Sequence, residues 1–205
     1  MKINAVIFDY DGVIADSGDM IFDITSRFME RHGVRLEKGA MLTGNAKEAL
    51  RKAGLEHRMA EFMPFLKSES VKRFREVKVF AGMKTVITQL HGSHALGIVS
   101  NGFMPFIERH LSLHGLSGYI RTVVDGTEPR IKPDPYQILK CLSLLGATPE
   151  ECCYVGDTET DIVAARAAGV AKVIAVSYGF HNAEMLKNAD AIIHNPESII
   201  TAMNE

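Results

Sequence analysis

Four short stretches of this 205-residue chain carry the side chains best suited to chemistry. They are Asp9-Tyr10-Asp11-Gly12, Ser100-Asn101-Gly102, Arg130-Ile131-Lys132-Pro133 and Gly156-Asp157-Thr158-Glu159-Thr160-Asp161. Asp9 and Asp11 are two apart, so in extended chain both point to one side, roughly 6–7 Å from each other. A phosphoryl group fits between two such carboxylates. Several carboxylates together repel unless a cation sits among them, and hard oxygen donors favour Mg2+. Asp157 brings an oxygen from elsewhere in the chain. Asp161, one helical turn further on, can hydrogen-bond or back up metal ligands. The Ser100 hydroxyl can donate to a phosphoryl oxygen, and Lys132 can neutralise its charge. One aspartate of the first pair could attack phosphorus and give an aspartyl-phosphate. The other could protonate the leaving oxygen and then activate water.

Such groups meet only if the fold delivers them to one place. Apolar runs rich in β-branched residues occupy 3–8, 95–99, 119–124, 152–156, 170–176 and 190–193. Helical segments separate most of them. Strands alternating with helices predict a parallel sheet covered on both faces, a doubly wound α/β architecture. In such sheets ligands bind outside the carboxyl ends of the strands, which is where the polar stretches begin. A helix is expected over 103–114. Another runs to Leu145, capped by Asp134, begun by Pro135 and closed by Gly146. Thr148-Pro149-Glu150-Glu151 has capping-box spacing for one short turn. A further helix spans Asp157 to Ala168 and ends at Gly169.

Residues 18–76 break the alternation. Ile21, Ile24, Phe28 and Met29 recur at helical spacing, as do Ala46, Ala49, Leu50 and Ala53, and then Met59, Phe62, Met63 and Leu66. About 60 residues of helix cannot be an ordinary connection of a few residues. The expected organisation is a helical cap domain (17–79) inserted into an α/β core (1–16 and 80–205), tethered near 13–17 and 77–81.

Composition narrows the class. A net charge of -2 gives no basic bias toward nucleic acid or a membrane surface. No apolar run approaches the roughly 18 residues of a membrane span, and Asp9 and Asp11 interrupt any signal-peptide core. Cys141, Cys152 and Cys153 form no disulfide or metal pattern and read as buried thiols of a cytoplasmic protein. The expected partner is a small phosphorylated metabolite, bound by a monomer or small homo-oligomer.

Other polar residues read more plainly. Asp16, Ser17 and Asp19 precede a helix and suit capping. Asp125 suits a turn. Asp161 fits equally a helix first turn or a site role. His110 and His114 are four apart but lie on an apolar stripe, as structural histidines would. Lys47, Arg51 and Lys52 suit a solvated helix face, although they could reach over the site to an anionic substrate.

The stretches DYDGVIADS (9–17), SNG (100–102), RIKPDP (130–135) and GDTETD (156–161), in that order, resemble the haloacid dehalogenase superfamily. The likeness covers the whole chain, with the insert placed like the family's first cap type. It is greatest to the phosphoglycolate phosphatase and β-phosphoglucomutase branch, whose phosphatase side the tail 173–199 resembles. The resemblance implies a Rossmann-like core and a Mg2+-dependent phosphatase. It makes Asp9 the nucleophile and a metal ligand. Asp11 becomes the acid/base and offers its backbone carbonyl to the metal. Ser100 and Asn101 hold the phosphoryl group, Lys132 balances charge, and Asp157 is the second side-chain ligand with Asp161 beside it. Gly12 fits the sharp bend that follows. Val13 departs from the Thr of many such phosphatases and leaves the substrate open. Alternatives are a phosphomutase, for which TGNAKEAL (43–50) is only vaguely similar to the cap signature, and a dehalogenase, which needs neither Mg2+ nor Asp11. A phosphonate hydrolase would need a cap lysine such as Lys38, Lys47 or Lys52. A phosphoacceptor domain would need Asp125 to be modified.

Overall fold

A computed structural model describes residues 2–37 and 46–205. Six parallel strands form the main sheet: β1 (Ala5–Phe8), β4 (Ala95–Val99), β5 (Thr122–Val124), β6 (Cys152–Gly156), β7 (Lys172–Val176) and β8 (Ala191–Ile193). Their order is β5-β4-β1-β6-β7-β8. Each coincides with one of the apolar runs, β4 and β6 over their full length and the others shortened at the N-terminal end. The helices of this part are α4 (Met83–His91), α5 (Met104–Leu113), α6 (Tyr136–Leu145), α7 (Glu159–Ala168) and α8 (Ser198–Asn204). The chain leaves β1 for β4, works outward to β5, then returns to β6 on the other side of β1. That reversal makes the β1/β6 edge the topological switch point, where doubly wound sheets bind ligands.

The strands are buried on both faces, which is why they read as continuous apolar runs. Val6 and Phe8 belong to one core, shared with Met83, Ile87 and Ile107 of α4 and α5. Ala5 and Ile7 belong to the other, shared with Ile138, Cys141 and Leu142 of α6 and with Ile162 of α7. The three cysteines are free and buried.

Between β1 and α4 lie β2 (Ala15–Asp16), α1 (Gly18–Glu30), α2 (Ala46–Lys52), a 3-10 turn (Glu56–Arg58), α3 (Met59–Arg73) and β3 (Lys78–Val79). This is the inserted helical segment. Its two tethers are joined by a feature the periodicity does not reveal: β2 and β3 pair antiparallel, with Ala15 opposite Val79 and Asp16 opposite Lys78. Phe80 N–H also donates to Ile14 O at 3.0 Å. Two residues are too few to show a strand pattern. Thr43, Gly44 and Asn45 of the mutase-like fragment, and Lys38, lie outside the described residues.

Helix ends follow the expected chemistry with small shifts. Gly146 and Gly169 take φ of 70° and 75° and close α6 and α7. Asp134 Oδ1 accepts the Tyr136 N–H at 2.9 Å, although Pro135 holds the cap position itself. Thr148 makes no side-chain cap on the turn Pro149–Glu151. The capping box lies instead at Thr158 and Asp161, on α7.

Candidate active site

β1 is wholly buried, and Asp9 follows its last residue, Phe8, with its side chain emerging where the strand stops. The chain then turns back tightly. Ile14 and Ala15 N–H both donate to Tyr10 O, and Gly12 N–H donates to Ala15 O. Gly12 has φ +83°, and a Cβ there would strike the Asp157 carboxylate and the Phe180 ring. Glycine therefore serves twice, turning the loop and leaving room for Asp157.

A cavity of about 450 Å3 opens over this end of the sheet. Asp9, Asp11, Ser100, Asn101 and Lys132 line its sheet side, and Lys47 and Arg51 of α2 line it from the helical insert. Between them lies an apolar belt that includes Met20, Met63, Leu66, Phe106 and Phe180. The four stretches singled out in the sequence thus meet. Asp157 and Asp161 contribute from below, both fully buried.

Lys132 is the hub. Its Nζ lies 2.8 Å from Asp9 Oδ1 and 2.7 Å from Asp161 Oδ1, and donates to Val99 O at 3.0 Å and Tyr154 Oη at 3.1 Å. Burial would discharge the amine, but the carboxylates of Asp161 and Asp9 outweigh it and raise its pKa. Asp161 is held in turn. Its Oδ1 also accepts from Tyr154 Oη at 2.9 Å, and its Oδ2 accepts from Thr158 N–H at 3.0 Å and from the Thr158 hydroxyl. Burial opposes its charge, but Lys132 and these donors keep its pKa below the usual range. Asp161 therefore completes the α7 capping box with Thr158 and also anchors Lys132.

Asp9 differs. Its hydrogen bonds from Lys132 and Tyr10 N–H (2.7 Å) both fall on Oδ1. Burial raises its pKa to about 7, with Lys132 resisting. Asp11 also titrates high, chiefly from burial, while hydrogen bonds from Ser17 and Ser100 oppose the rise. Asp157 is raised well above the carboxylate range by burial and by the charges of Asp161 and Asp9. Its Oδ2 accepts Phe180 N–H at 2.7 Å, while its Oδ1 is buried with no partner. An orphaned buried carboxylate oxygen is costly. One oxygen each from Asp9, Asp157 and Asp161 lie within 4.8 Å of one another. This all-oxygen, surplus-negative cluster could hold a hard cation, and the unpartnered oxygen of Asp157 fits one.

Some expectations change. Ser17 is not a side-chain cap of α1. Its hydroxyl donates to Asp11 Oδ1 at 2.6 Å, so it sets the acid instead. Asp16 sits in β2, not in a cap. Lys47 and Arg51 do not form a simply solvated face, since both reach the cavity; Lys52 is exposed and does not. Asn101 spends its Nδ2 on Lys132 O at 3.0 Å. Asp125 is a turn residue as read, its Oδ1 taken by Thr127, but its Oδ2 also accepts Met104 N–H at 2.8 Å and holds the start of α5. Both oxygens are occupied and Asp125 does not line the cavity.

Sequence reasoning missed Gln137, Tyr154 and Phe180. Gln137 fastens three loops: its Oε1 accepts Lys132 N–H at 2.9 Å, and its Nε2 donates to Ser100 O and Asp125 O at 3.0 and 2.8 Å. The available signal was an uncharged polar residue on the apolar stripe of α6. Tyr154, a hydroxyl inside a core strand, offered a similar one.

The family model for haloacid dehalogenase-like hydrolases matches residues 6–176. A phosphoglycolate phosphatase from Photorhabdus laumondii is 28% identical, covering 98% of this chain and 92% of the relative. An N-acetylmuramic acid 6-phosphate phosphatase from Pseudomonas aeruginosa is 27% identical, covering 100% and 96%. A solved HAD-superfamily hydrolase of subfamily IA, variant 1, from Geobacter sulfurreducens superposes with a TM-score of 0.75 at 26% identity, covering 97% of this chain and 98% of that one. With its parallel six-stranded sheet, helical insert and four stretches in place, this chain belongs to the haloacid dehalogenase-like hydrolases.

Proposed function

We propose that the protein is a Mg2+-dependent phosphatase that hydrolyses a small phosphate monoester through an aspartyl-phosphate on Asp9. The observation that carries this reading is the placement of Asp9, against Lys132, in the cavity that Asp11 and Ser100 also line. The names of the two phosphatase relatives support it. Residues 17–79 would act as the cap domain over a core of 1–16 and 80–205.

In the first half-reaction a carboxylate oxygen of Asp9 forms a bond to phosphorus as the ester P–O bond breaks. Asp11, whose pKa burial raises, gives its proton to the departing oxygen. In the second, Asp11 takes a proton from water. The resulting hydroxide oxygen bonds to phosphorus, the Asp9–phosphorus bond breaks, and inorganic phosphate leaves. Lys132 supplies positive charge beside Asp9 throughout, and the Ser100 hydroxyl can turn to a phosphoryl oxygen. Asp9, Asp157 and the Asp11 carbonyl would hold Mg2+, which when bound offsets carboxylate and phosphoryl charge. Opposite the aspartates, Lys47 is half-buried, its pKa is lowered by burial, and it makes no ion pair among the described residues. It is suited to the far end of an anionic substrate. The two substrates in the relatives' names, phosphoglycolate and N-acetylmuramic acid 6-phosphate, both bear a carboxylate apart from the phosphate.

The test is phosphate release from a panel of phosphomonoesters, with Mg2+ or with chelator, and with Asp9→Asn as control. Turnover is expected only for the wild-type protein with Mg2+. Release that survives chelation or Asp9→Asn sinks the mechanism. Conversion of a hexose 1-phosphate to its isomer without free phosphate would point to the mutase instead.

A further inference from the structure

Tyr10 stands between the two aspartates and is completely buried. Its hydroxyl lies 2.6 Å from Nδ1 of His110 on α5, and the other ring nitrogen, Nε2, lies 3.1 Å from the carbonyl oxygen of Val77. A carbonyl can only accept, so Nε2 carries the proton. The neutral ring then leaves Nδ1 bare, and the Tyr10 hydroxyl must donate to it. Ile107 O, 3.5 Å from the same hydroxyl, is the longer and weaker of its two acceptors. Packing fixes the ring as well: Phe106 stacks on it with centroids 5.7 Å apart, and the Tyr10 ring meets it edge-on at 5.8 Å.

The partners of His110 come from two places that matter. Tyr10 belongs to the loop that aims Asp9 and Asp11, and its own carbonyl closes that loop through Ile14 and Ala15. Val77 immediately precedes β3, the strand on which the chain returns from the helical insert and which pairs with the outgoing β2. His110 is thus a strut, mounted on α5, between the aspartate loop and the return tether.

We propose that His110 is a positioning residue that sets the aspartate loop and the return tether of the helical insert together, through Tyr10 and Val77. Displacing the tether then displaces Asp11. The kinetic part of this proposal rests on the phosphatase reading; the structural part does not.

The test uses the full chain and the variants Tyr10→Phe, His110→Phe and the double variant. Tyr10→Phe removes one hydroxyl and retains the ring, so it serves where His110→Phe fails to fold. Amide exchange is read in 77–81 and, as reference, in β6. Each single variant is expected to speed exchange at 77–81 by about tenfold relative to β6, and the double variant to add little beyond His110→Phe, as coupled partners do. With a phosphomonoester and Mg2+, kcat per folded molecule is expected to fall about tenfold with KM within about twofold. Unchanged exchange at 77–81 in Tyr10→Phe overturns the proposal. So does acceleration shared equally with β6, which marks a general loss of stability. A wild-type protein inactive on every phosphomonoester defeats the phosphatase reading and leaves the exchange result to decide the strut.

Discussion

The Lys132 ammonium lies 2.8 Å from Asp9 Oδ1, and the same nitrogen is pinned by Asp161 at 2.7 Å. A cation so held cannot drift from the carboxylate beside it, and that carboxylate cannot rotate without losing its partner. Lys132→Met is expected to cost about 3–5 kcal/mol of stability, because two buried carboxylates lose their counter-charge. It should also lower kcat by about a thousandfold or more, through lost stabilisation of phosphoryl charge. Urea unfolding and steady-state kinetics measure the two effects. A kcat within tenfold of wild type would mean that Lys132 serves stability alone.

Asp157 offers a test of the cation site that needs no turnover. Its folded pKa is raised, so metal-free stability falls as pH climbs through and above the unfolded value near 3.8. Asp157→Asn removes that charge and can retain the bond from Phe180. Without metal the variant should be at least as stable as wild type at pH 7. Millimolar Mg2+ should raise the Tm of wild type by several degrees and that of the variant by far less. Thermal melts with and without Mg2+ decide it; equal shifts in both proteins would place the ion elsewhere.

His110 predicts a distinctive pH dependence of stability. Burial lowers its pKa from 6.5 to about 4. Between those values the unfolded chain binds the proton and the folded chain does not, so stability rises with pH across the window. The contribution is complete above about pH 6.5 and is lost progressively toward pH 4, by up to roughly 3 kcal/mol. His110→Phe should flatten this part of the curve, as urea unfolding from pH 4 to 7 would show.

Lys47 bears on the substrate. For a carboxylate-bearing phosphomonoester that the protein turns over, Lys47→Met is expected to raise KM by about tenfold, as a charge-assisted contact is lost, with a much smaller effect on an ester whose alcohol part carries no charge, such as ethyl phosphate. Parallel changes for both esters would show that Lys47 does not read the far end.

Gly12→Ala combines a φ of +83° with a clash against Asp157. Strain alone costs about 1–3 kcal/mol, and displacement of Asp157 should weaken Mg2+ binding by about 10–100-fold. Melts across a Mg2+ titration measure both.

The sequence alone determined the repeating strand–helix pattern, the helical insert and the four polar stretches, because each rests on local signals. Burial on both faces forces continuous apolar strands, glycine marks the left-handed helix closures at 146 and 169, and polar stretches follow strand ends. The strand order follows only partly from such signals. A parallel sheet brings those ends to one edge, but which strands neighbour β1 depends on pairings far apart in the chain.

The tertiary structure decided everything that depends on what faces what. Ser17 read as a helix cap because its local context permits one, yet its hydroxyl found Asp11, six residues back, once the loop had turned at Gly12. Lys47 read as solvated because a helix surface is usually wet, yet the fold sets α2 above a cavity. Gln137 and Tyr154 each carry one polar group on an apolar stripe, and nothing local says whether that group will find Lys132, 5 and 22 residues away. Thr148 and Thr158 each precede an acid by three residues, yet only Thr158 forms the capping box, and its partner Asp161 also holds Lys132. Residue type and spacing specify what a side chain can do. Only the packing of distant segments supplies the partner, and with it the charge, the desolvation and the orientation on which the chemistry depends.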